Sequence, residues 1–205
     1  MIWHSIEEEA FQREIQLAGI DEAGRGPLAG PVVVAAVILP SDFPVEILDD
    51  SKKVTPKNRE AAYEIICQRA IARHSVVVDA EIVDQINILQ ATLKGMRESV
   101  EGLAFLPDKI VVDGNRDRRL PSHWEFYVGG DQLFAAIAAA SIVAKVERDR
   151  LMEEYGALYP EYGFEKNKGY GAKVHLEALK QIGPCPIHRR TFNPLRTWLE
   201  EMTLF

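Results

Sequence analysis

The stretch that most constrains this chain runs from Leu17 to Leu39, LAGIDEAGRGPLAGPVVVAAVIL. A short apolar lead ends in two adjacent acids, Asp21 and Glu22. A cation follows between glycines, Gly24-Arg25-Gly26, and a β-branched run closes the segment. An apolar strand that terminates in paired carboxylates is costly to bury, because an uncompensated charge loses its water. A divalent cation is the simplest compensation, since hard cations such as magnesium or manganese take carboxylate oxygens.

The rest of the chain allows a sizeable core around that stretch. Its 205 residues, 47% hydrophobic and 27% charged, fit one globular domain over residues 1–205 with a core at about 15–156 and a helical C-terminal region at about 157–205. Met1-Ile2-Trp3-His4 followed by Glu7-Glu8-Glu9 has neither the basic nor the apolar part of a secretory signal. The longest near-apolar run, Pro27 to Pro40, is too short to span a bilayer. A cytoplasmic protein without membrane contact is expected. Cys67 and Cys185, the only cysteines, have no zinc-like spacing. The net charge of −7 lies wholly in residues 1–49, where nine acids face Arg13 and Arg25. It therefore does not argue against a nucleic-acid partner, for which local cation clusters matter more. Such clusters occur at Arg116, Arg118 and Arg119, at Lys166, Lys168 and Lys173, and at Arg189 and Arg190.

Patterning predicts a short amphipathic helix within residues 1–14, then strands at Leu17 to Asp21 and Val32 to Leu39 joined by a glycine turn. Thr55 before Pro56 marks a helix start. Ser75 to Val78 reads as a strand, and Ile86, Leu89, Leu93, Met96, Val100 and Leu103 form an amphipathic stripe facing the core. Lys109 to Val112 and Trp124 to Val128 are further strands. An alanine-rich helix is expected from Gln132 to about Tyr155, a short one at Val174 to Ile182, and a last one from Asn193. Alternating strands and helices imply an α/β layer architecture.

Three places deliver a carboxylate at a strand end or glycine turn: Asp21-Glu22, Asp113 before Gly114-Asn115, and Asp131 after Gly129-Gly130. Adjacent residues of a strand point to opposite faces, so Asp21 and Glu22 share a site only if the strand ends between them. Asp113 also suits a turn, and Asp131 a helix cap. Four crowded carboxylates do not all ionise without cations. Two divalent ions would relieve them and support in-line displacement at phosphorus.

The segment DEAGRGPLAGPVVVAAVIL, Asp50-Ser51-Lys52-Lys53, Val111-Val112-Asp113-Gly114-Asn115, Gly130-Asp131 with IAAASIVAKVERD, Lys168-Gly169-Tyr170-Gly171 with His175, and His188-Arg189-Arg190-Thr191-Phe192 together resemble bacterial ribonuclease HII. The resemblance spans residues 17 to 192 in the family's order. It implies an RNase H-like fold, a mixed sheet flanked by helices with a helical C-terminal extension. It further implies cleavage of the RNA strand of RNA–DNA hybrids, and incision 5′ of single ribonucleotides in duplex DNA, leaving 3′-hydroxyl and 5′-phosphate ends.

By position, Asp21, Glu22, Asp113 and Asp131 match the family's metal-binding carboxylates, for Mn2+ or Mg2+. Gly24-Arg25-Gly26 matches the loop that tests for the 2′-hydroxyl through its backbone, and Tyr170 the aromatic that packs on that sugar. Lys52, Arg25, Lys168, Arg189 and Arg190 are expected phosphate ligands. The chain departs from the family's usual pattern at Gln132-Leu133-Phe134, where a polar stretch is common, and at Ala172, where threonine is common. Glu201-Met202-Thr203-Leu204-Phe205 is similar to the short motif that docks bacterial proteins on the replication sliding clamp, with glutamate in place of glutamine. Packing of Leu204 and Phe205 on the core is the alternative. Ribonuclease HIII is disfavoured, because no room for its extra domain precedes Asp21. A nucleotide-binding loop is disfavoured by the missing Walker lysine, and a catalytically silent binding protein by acids that repel phosphate. A monomer is expected.

Overall fold

The computed structural model describes residues 1–48 and 55–202. The stretch Leu17 to Leu39 forms the centre of a five-stranded sheet in the order β3-β2-β1-β4-β5. The strands are β1 (Leu17–Ala23), β2 (Val32–Ile38), β3 (Ala72–Val78), β4 (Lys109–Asp113) and β5 (Glu125–Tyr127). β1 pairs antiparallel with β2 and parallel with β4. β2 pairs antiparallel with β3, and β4 parallel with β5. The mixed sheet expected from the sequence is thus present.

Seven α-helices frame the sheet among the described residues: α1 (Ser5–Gln12), α2 (Pro56–Arg69), α3 (Ala80–Glu101), α4 (Ala135–Leu158), α5 (Phe164–Asn167), α6 (Lys173–Ile182) and α7 (Leu195–Met202). Side-chain alternation assigns the two faces. Ala18, Ile20, Val34, Ala36, Ile110 and Val112 pack with α3 residues such as Leu93 and Met96. Val33, Ala35 and Val37 pack with the alanines of α4 and with Ala62 and Ile66 of α2. The small residues of α4 permit a close approach: a Cβ at Gly19 of β1 would lie 2.2 Å from the Ala136 carbonyl carbon.

Several elements differ from the sequence reading. β1 runs on through Asp21, Glu22 and Ala23, each paired with β2. The strand therefore does not end between the two acids. β3 begins at Ala72, earlier than Ser75, because Ala72, Arg73 and His74 pair with Ile38, Val37 and Ala36. Within α3, Asn87 is non-helical (φ 66°, ψ 161°). Its side chain accepts hydrogen bonds from the Leu89 and Gln90 amides at 3.0 and 3.1 Å, capping a second helical segment. The kink shifts the apolar phase, leaving Leu89 37% exposed while Leu93, Met96, Val100 and Leu103 are buried. α4 starts at Ala135, preceded by a 3-10 turn at Gly130–Gln132.

Asp131 accordingly does not cap α4. Its first amides, Ala135 and Ala136, donate instead to the buried Glu7 carboxylate of α1 at 3.2 and 2.9 Å. The same carboxylate accepts from the His4 amide in a capping box. Glu7 thus serves two helix N-termini. Leu28, Met152 of α4, Tyr162, Phe164, Leu179 and Leu195 make a separate apolar cluster that ties α5, α6 and α7 to the turn after β1.

Candidate active site

The C-terminal ends of β1 and β4 bring three acids together. β4 pairs with β1 only as far as Ile20 opposite Val112. Asp21 and Glu22 therefore lie one and two residues beyond the last parallel pair, beside Asp113, the last residue of β4. Asp21 is buried, and its carboxyl is held well above the usual carboxylate range, first by burial and then by the charges of Glu22 and Asp113. Hydrogen bonds from the Ser141 hydroxyl and the Glu22 amide oppose this, the latter at 2.7 Å. Glu22 is pushed up by burial and by Asp113, and pulled down by Arg25. Arg25 Nη1 stands 3.0 Å from Glu22 Oε1. The other oxygen, Oε2, is buried without a hydrogen-bond donor.

Asp131 stands on the next turn. The Gly130 amide donates to Asp113 Oδ1 at 2.7 Å, so the buried Asp131 follows directly on the residue that fixes Asp113. Among the described residues no three acid, histidine or cysteine side chains already converge on one ion-sized point. The donor set nevertheless fits a hard cation. Raised carboxyls and a buried oxygen without a donor are what a cation would relieve.

A cleft of about 510 Å³ opens next to Glu22 and is lined by Gly24, Arg25, Gly26, Arg59, Ser141, Lys145, Arg148 and Tyr170. Gly24 has φ +97°, and a Cβ there would lie 2.0 Å from Arg148 Nε. A side chain is thus excluded by conformation and by space. Gly26 faces the half-exposed Tyr170: a Cβ on it would lie 3.7 Å from the ring. The Leu28 amide donates to the Gly169 carbonyl at 2.8 Å, so the glycine loop and the Tyr170 segment are bonded to each other.

Two buried arginines hold this pair of segments. Arg189 is fully buried, and its guanidinium donates to the carbonyls of Gly24 (2.6 Å), Arg25 (3.0 Å), Pro27 (2.9 Å) and Gly30 (2.8 and 3.0 Å). Burial, and then the charge of Arg148, press its pKa down to about 9. The sequence reading offered Arg189 to a phosphate. The structure corrects this, because every donor it presents is turned inward to the loop. Arg148 donates to the carbonyls of Pro31 (3.0 Å), Ala29 (3.2 Å) and Lys168 (3.0 Å). It spans from α4 to both segments.

The other expected phosphate ligands are dispersed. Arg25 lines the cleft. The Lys168 ammonium pairs with Glu153 at 2.8 Å. Arg190 is exposed on a separate cleft with Glu81, Asp84 and His188. Lys52 lies outside the described residues, as do Asp50, Ser51 and Lys53, and Thr203, Leu204 and Phe205 of the terminal motif. Sequence reasoning missed Arg59, Ser141, Lys145 and Arg148 as cleft residues. The last three stand at i, i+4 and i+7 on α4, one helical face, and that spacing was legible in SIVAKVER.

Comparison with known proteins decides the family. The family model described as Ribonuclease HII matches residues 18–195. The chain belongs to the ribonuclease HII family. It is 53% identical over 189 residues to the Ribonuclease HII of Endomicrobium trichonymphae, covering 92% of this chain and 90% of that one. The fold is similar to the crystal structure of ribonuclease H2 from Pyrococcus horikoshii, with TM-score 0.76 and 27% identity over 92% of this chain and 99% of that one. It is also similar to the RNase HII in the PCNA:RNase HII complex from Archaeoglobus fulgidus, with TM-score 0.73 and 26% identity over 87% and 96% of the two chains. Ribonuclease HII enzymes are metal-dependent ribonucleases H that cut RNA in RNA–DNA hybrids and incise at ribonucleotides in DNA, and this chain is a ribonuclease H hydrolase. Among the described residues no helix is long and apolar enough to cross a membrane.

Proposed function

We propose that Asp21, Glu22, Asp113 and Asp131 hold two divalent cations, Mg2+ or Mn2+, and that the chain cuts 5′ of a ribonucleotide to leave 3′-hydroxyl and 5′-phosphate ends. The observation that carries this reading is adjacency. Glu22 borders the same cleft as Gly24-Arg25-Gly26 and Tyr170, and the charges of Asp21 and Asp113 are close enough to act with it. When bound, the cations supply the charge that makes water nucleophilic and stabilises the leaving oxygen. The protein's part is placement. Ser141 and the Glu22 amide orient Asp21, and Gly130 orients Asp113. The glycine loop lets backbone groups approach the 2′-hydroxyl, and Tyr170 packs on the sugar opposite Gly26. Arg25, Lys52, Lys168 and Arg190 serve the phosphate backbone, with a contribution that weakens as salt rises.

The whole chain works as one catalytic domain, a cytoplasmic monomer. The Archaeoglobus fulgidus neighbour forms a complex with PCNA, which supports reading Glu201-Met202-Thr203-Leu204-Phe205 as a clamp-docking segment. The test of the catalytic reading is a DNA duplex containing one ribonucleotide, incubated with Mg2+ or Mn2+. Wild type cuts at the ribonucleotide and leaves an all-DNA duplex intact. Asp21→Asn and Asp113→Asn each lose at least about a hundredfold, since removing charge stabilisation of several kcal/mol has that effect. Cleavage insensitive to both substitutions would sink the assignment.

A further inference from the structure

Tyr170 is held from behind by a chain of buried hydrogen bonds that none of the roles assigned above uses. His175 on α6 is fully buried, and its Nδ1 lies 2.8 Å from the Tyr170 carbonyl. Its Nε2 lies 2.8 Å from Nε2 of the equally enclosed His188. His188 Nδ1 in turn lies 2.9 Å from the Cys185 amide.

The donors and acceptors fix one arrangement. A carbonyl only accepts, so His175 carries its proton on Nδ1. In a neutral ring its Nε2 is then an acceptor, so His188 carries its proton on Nε2. The Nδ1 of His188 is left as an acceptor, which the Cys185 N–H satisfies. All three bonds therefore run in one direction, Cys185 to His188 to His175 to Tyr170. We propose that His175 and His188 are positioning residues, a relay that fixes the backbone of Tyr170 against Gly26 only while both imidazoles are neutral. The proposal rests on the reading of Tyr170 as the residue that packs on the ribonucleotide sugar.

A second proton on His175 would set two Nε2–H groups against each other across 2.8 Å. A second proton on His188 would break its bond from the Cys185 amide and turn Nδ1–H to the Cys185 carbonyl, 3.2 Å away. The surroundings resist both events. Burial lowers the pKa of His175, opposed by the Tyr170 carbonyl. Burial, then His175 and Arg190, lower that of His188 to about 4, opposed by Cys185. The remaining titratable neighbours are Tyr162, whose ring lies 4.8 Å from that of His188 and whose hydroxyl donates to the Gly183 carbonyl, and the Cys185 thiol, 3.1 Å from His188 Nδ1. Glu161 acts on both Tyr162 and Cys185. The Phe164 ring closes the other side. Above their acid range the two rings are neutral, and the relay is intact.

Glutamine at position 175 offers one amide donor for Tyr170 and one oxygen for His188, and it takes no proton near neutrality. Phenylalanine offers neither. On the single-ribonucleotide duplex at neutral pH, His175→Phe should lose about tenfold or more in kcat/KM, whereas His175→Gln should stay within about threefold of wild type. Groups common to both enzymes cancel in the ratio of His175→Gln to wild type. That ratio should rise in the acid range where His175 would take its second proton, because glutamine at that position takes none. Long-range 15N–1H NMR of the full chain should report the proton on Nδ1 of His175 and on Nε2 of His188. Inverted tautomers, or an activity ratio flat from about pH 8 down to about pH 4, overturn the relay. If the tautomers are as assigned but Tyr170→Ala incises at full rate, the role of Tyr170 falls and the hydrogen-bond assignment stands.

Discussion

Arg189 gives the sharpest test of the geometry, because sequence and structure assign it different work. Arg189→Met keeps a long unbranched side chain and removes all five hydrogen bonds to the carbonyls of Gly24, Arg25, Pro27 and Gly30. Each buried carbonyl left without a donor costs roughly 1 kcal/mol or more. Relief of the guanidinium's own desolvation, which presses its pKa down to about 9, offsets part of this. With four carbonyls deprived of this donor and that relief subtracted, the net cost is about 3–5 kcal/mol. At roughly 2–4 °C per kcal/mol for a chain of this size, Tm should fall by about 6–20 °C. Arg189→Lys keeps the charge but has a single nitrogen, so it should fall in between. Thermal and urea unfolding measure stability, and substrate affinity against salt concentration measures phosphate contact. The structure predicts a large loss of stability with the salt slope unchanged. A Tm within about 2 °C of wild type, together with a slope reduced by about 0.9, would instead make Arg189 a phosphate ligand.

Two further predictions concern the acids and the glycines. Asp21 has its folded pKa raised, so the unfolded chain gives up that proton first. Stability is therefore lost as pH rises from the unfolded value of about 4 through the folded one. Without metal at neutral pH, Asp21→Asn should be more stable than wild type by on the order of 1 kcal/mol, with the advantage vanishing below about pH 4 and offset by added Mg2+ or Mn2+. Lower stability of the variant under those metal-free conditions would show that the carboxylate holds the fold instead. For the loop, Gly24→Ala meets φ +97° and a 2.0 Å clash with Arg148, so it should unfold more easily by about 1–3 kcal/mol. Gly26→Ala meets only the Tyr170 ring at 3.7 Å. It should change stability by less than about 0.5 kcal/mol yet lower incision at a single ribonucleotide about tenfold. Full activity of Gly26→Ala would contradict close approach of the sugar at that position.

The parts of the fold that were legible are those where one local rule suffices. The Thr55-Pro56 helix start is an N-cap followed by proline at the first turn, and the apolar run Val32–Ile38 became the fully buried β2. Misreadings arose where a distant residue overrode the local signal. Asp131 resembled a cap for α4, but Glu7, 128 residues before Ala135, takes that role. The clustering of Asp21 and Glu22 was expected to need a broken strand. It arises instead from the sheet, since β4 stops pairing with β1 at Ile20 and exposes the end of the strand to Asp113. Arg189 and Arg190 read alike as neighbouring cations. Only tertiary packing separates a fully buried guanidinium from an exposed one.

The alanine-rich helix α4 links the two halves of the site. Its small residues let it lie against Gly19 of β1, which brings one helical face over the ends of the strands. From that face Ser141 bonds Asp21, Lys145 lines the cleft, and Arg148 bonds the carbonyls of Ala29, Pro31 and Lys168. The span from the acids to the glycine loop and to the Tyr170 segment is thus set by the 1.5 Å rise of a single helix, which changes little with thermal motion. Among the described residues, Arg148 and Arg189 set their charges beneath the loop against carbonyl dipoles, with no carboxylate hydrogen-bonded to either. A carboxylate there would pair with them and release the carbonyls. Carbonyl partners instead keep the loop fixed, and the two guanidinium charges are balanced only at longer range, by Asp149 and Asp84.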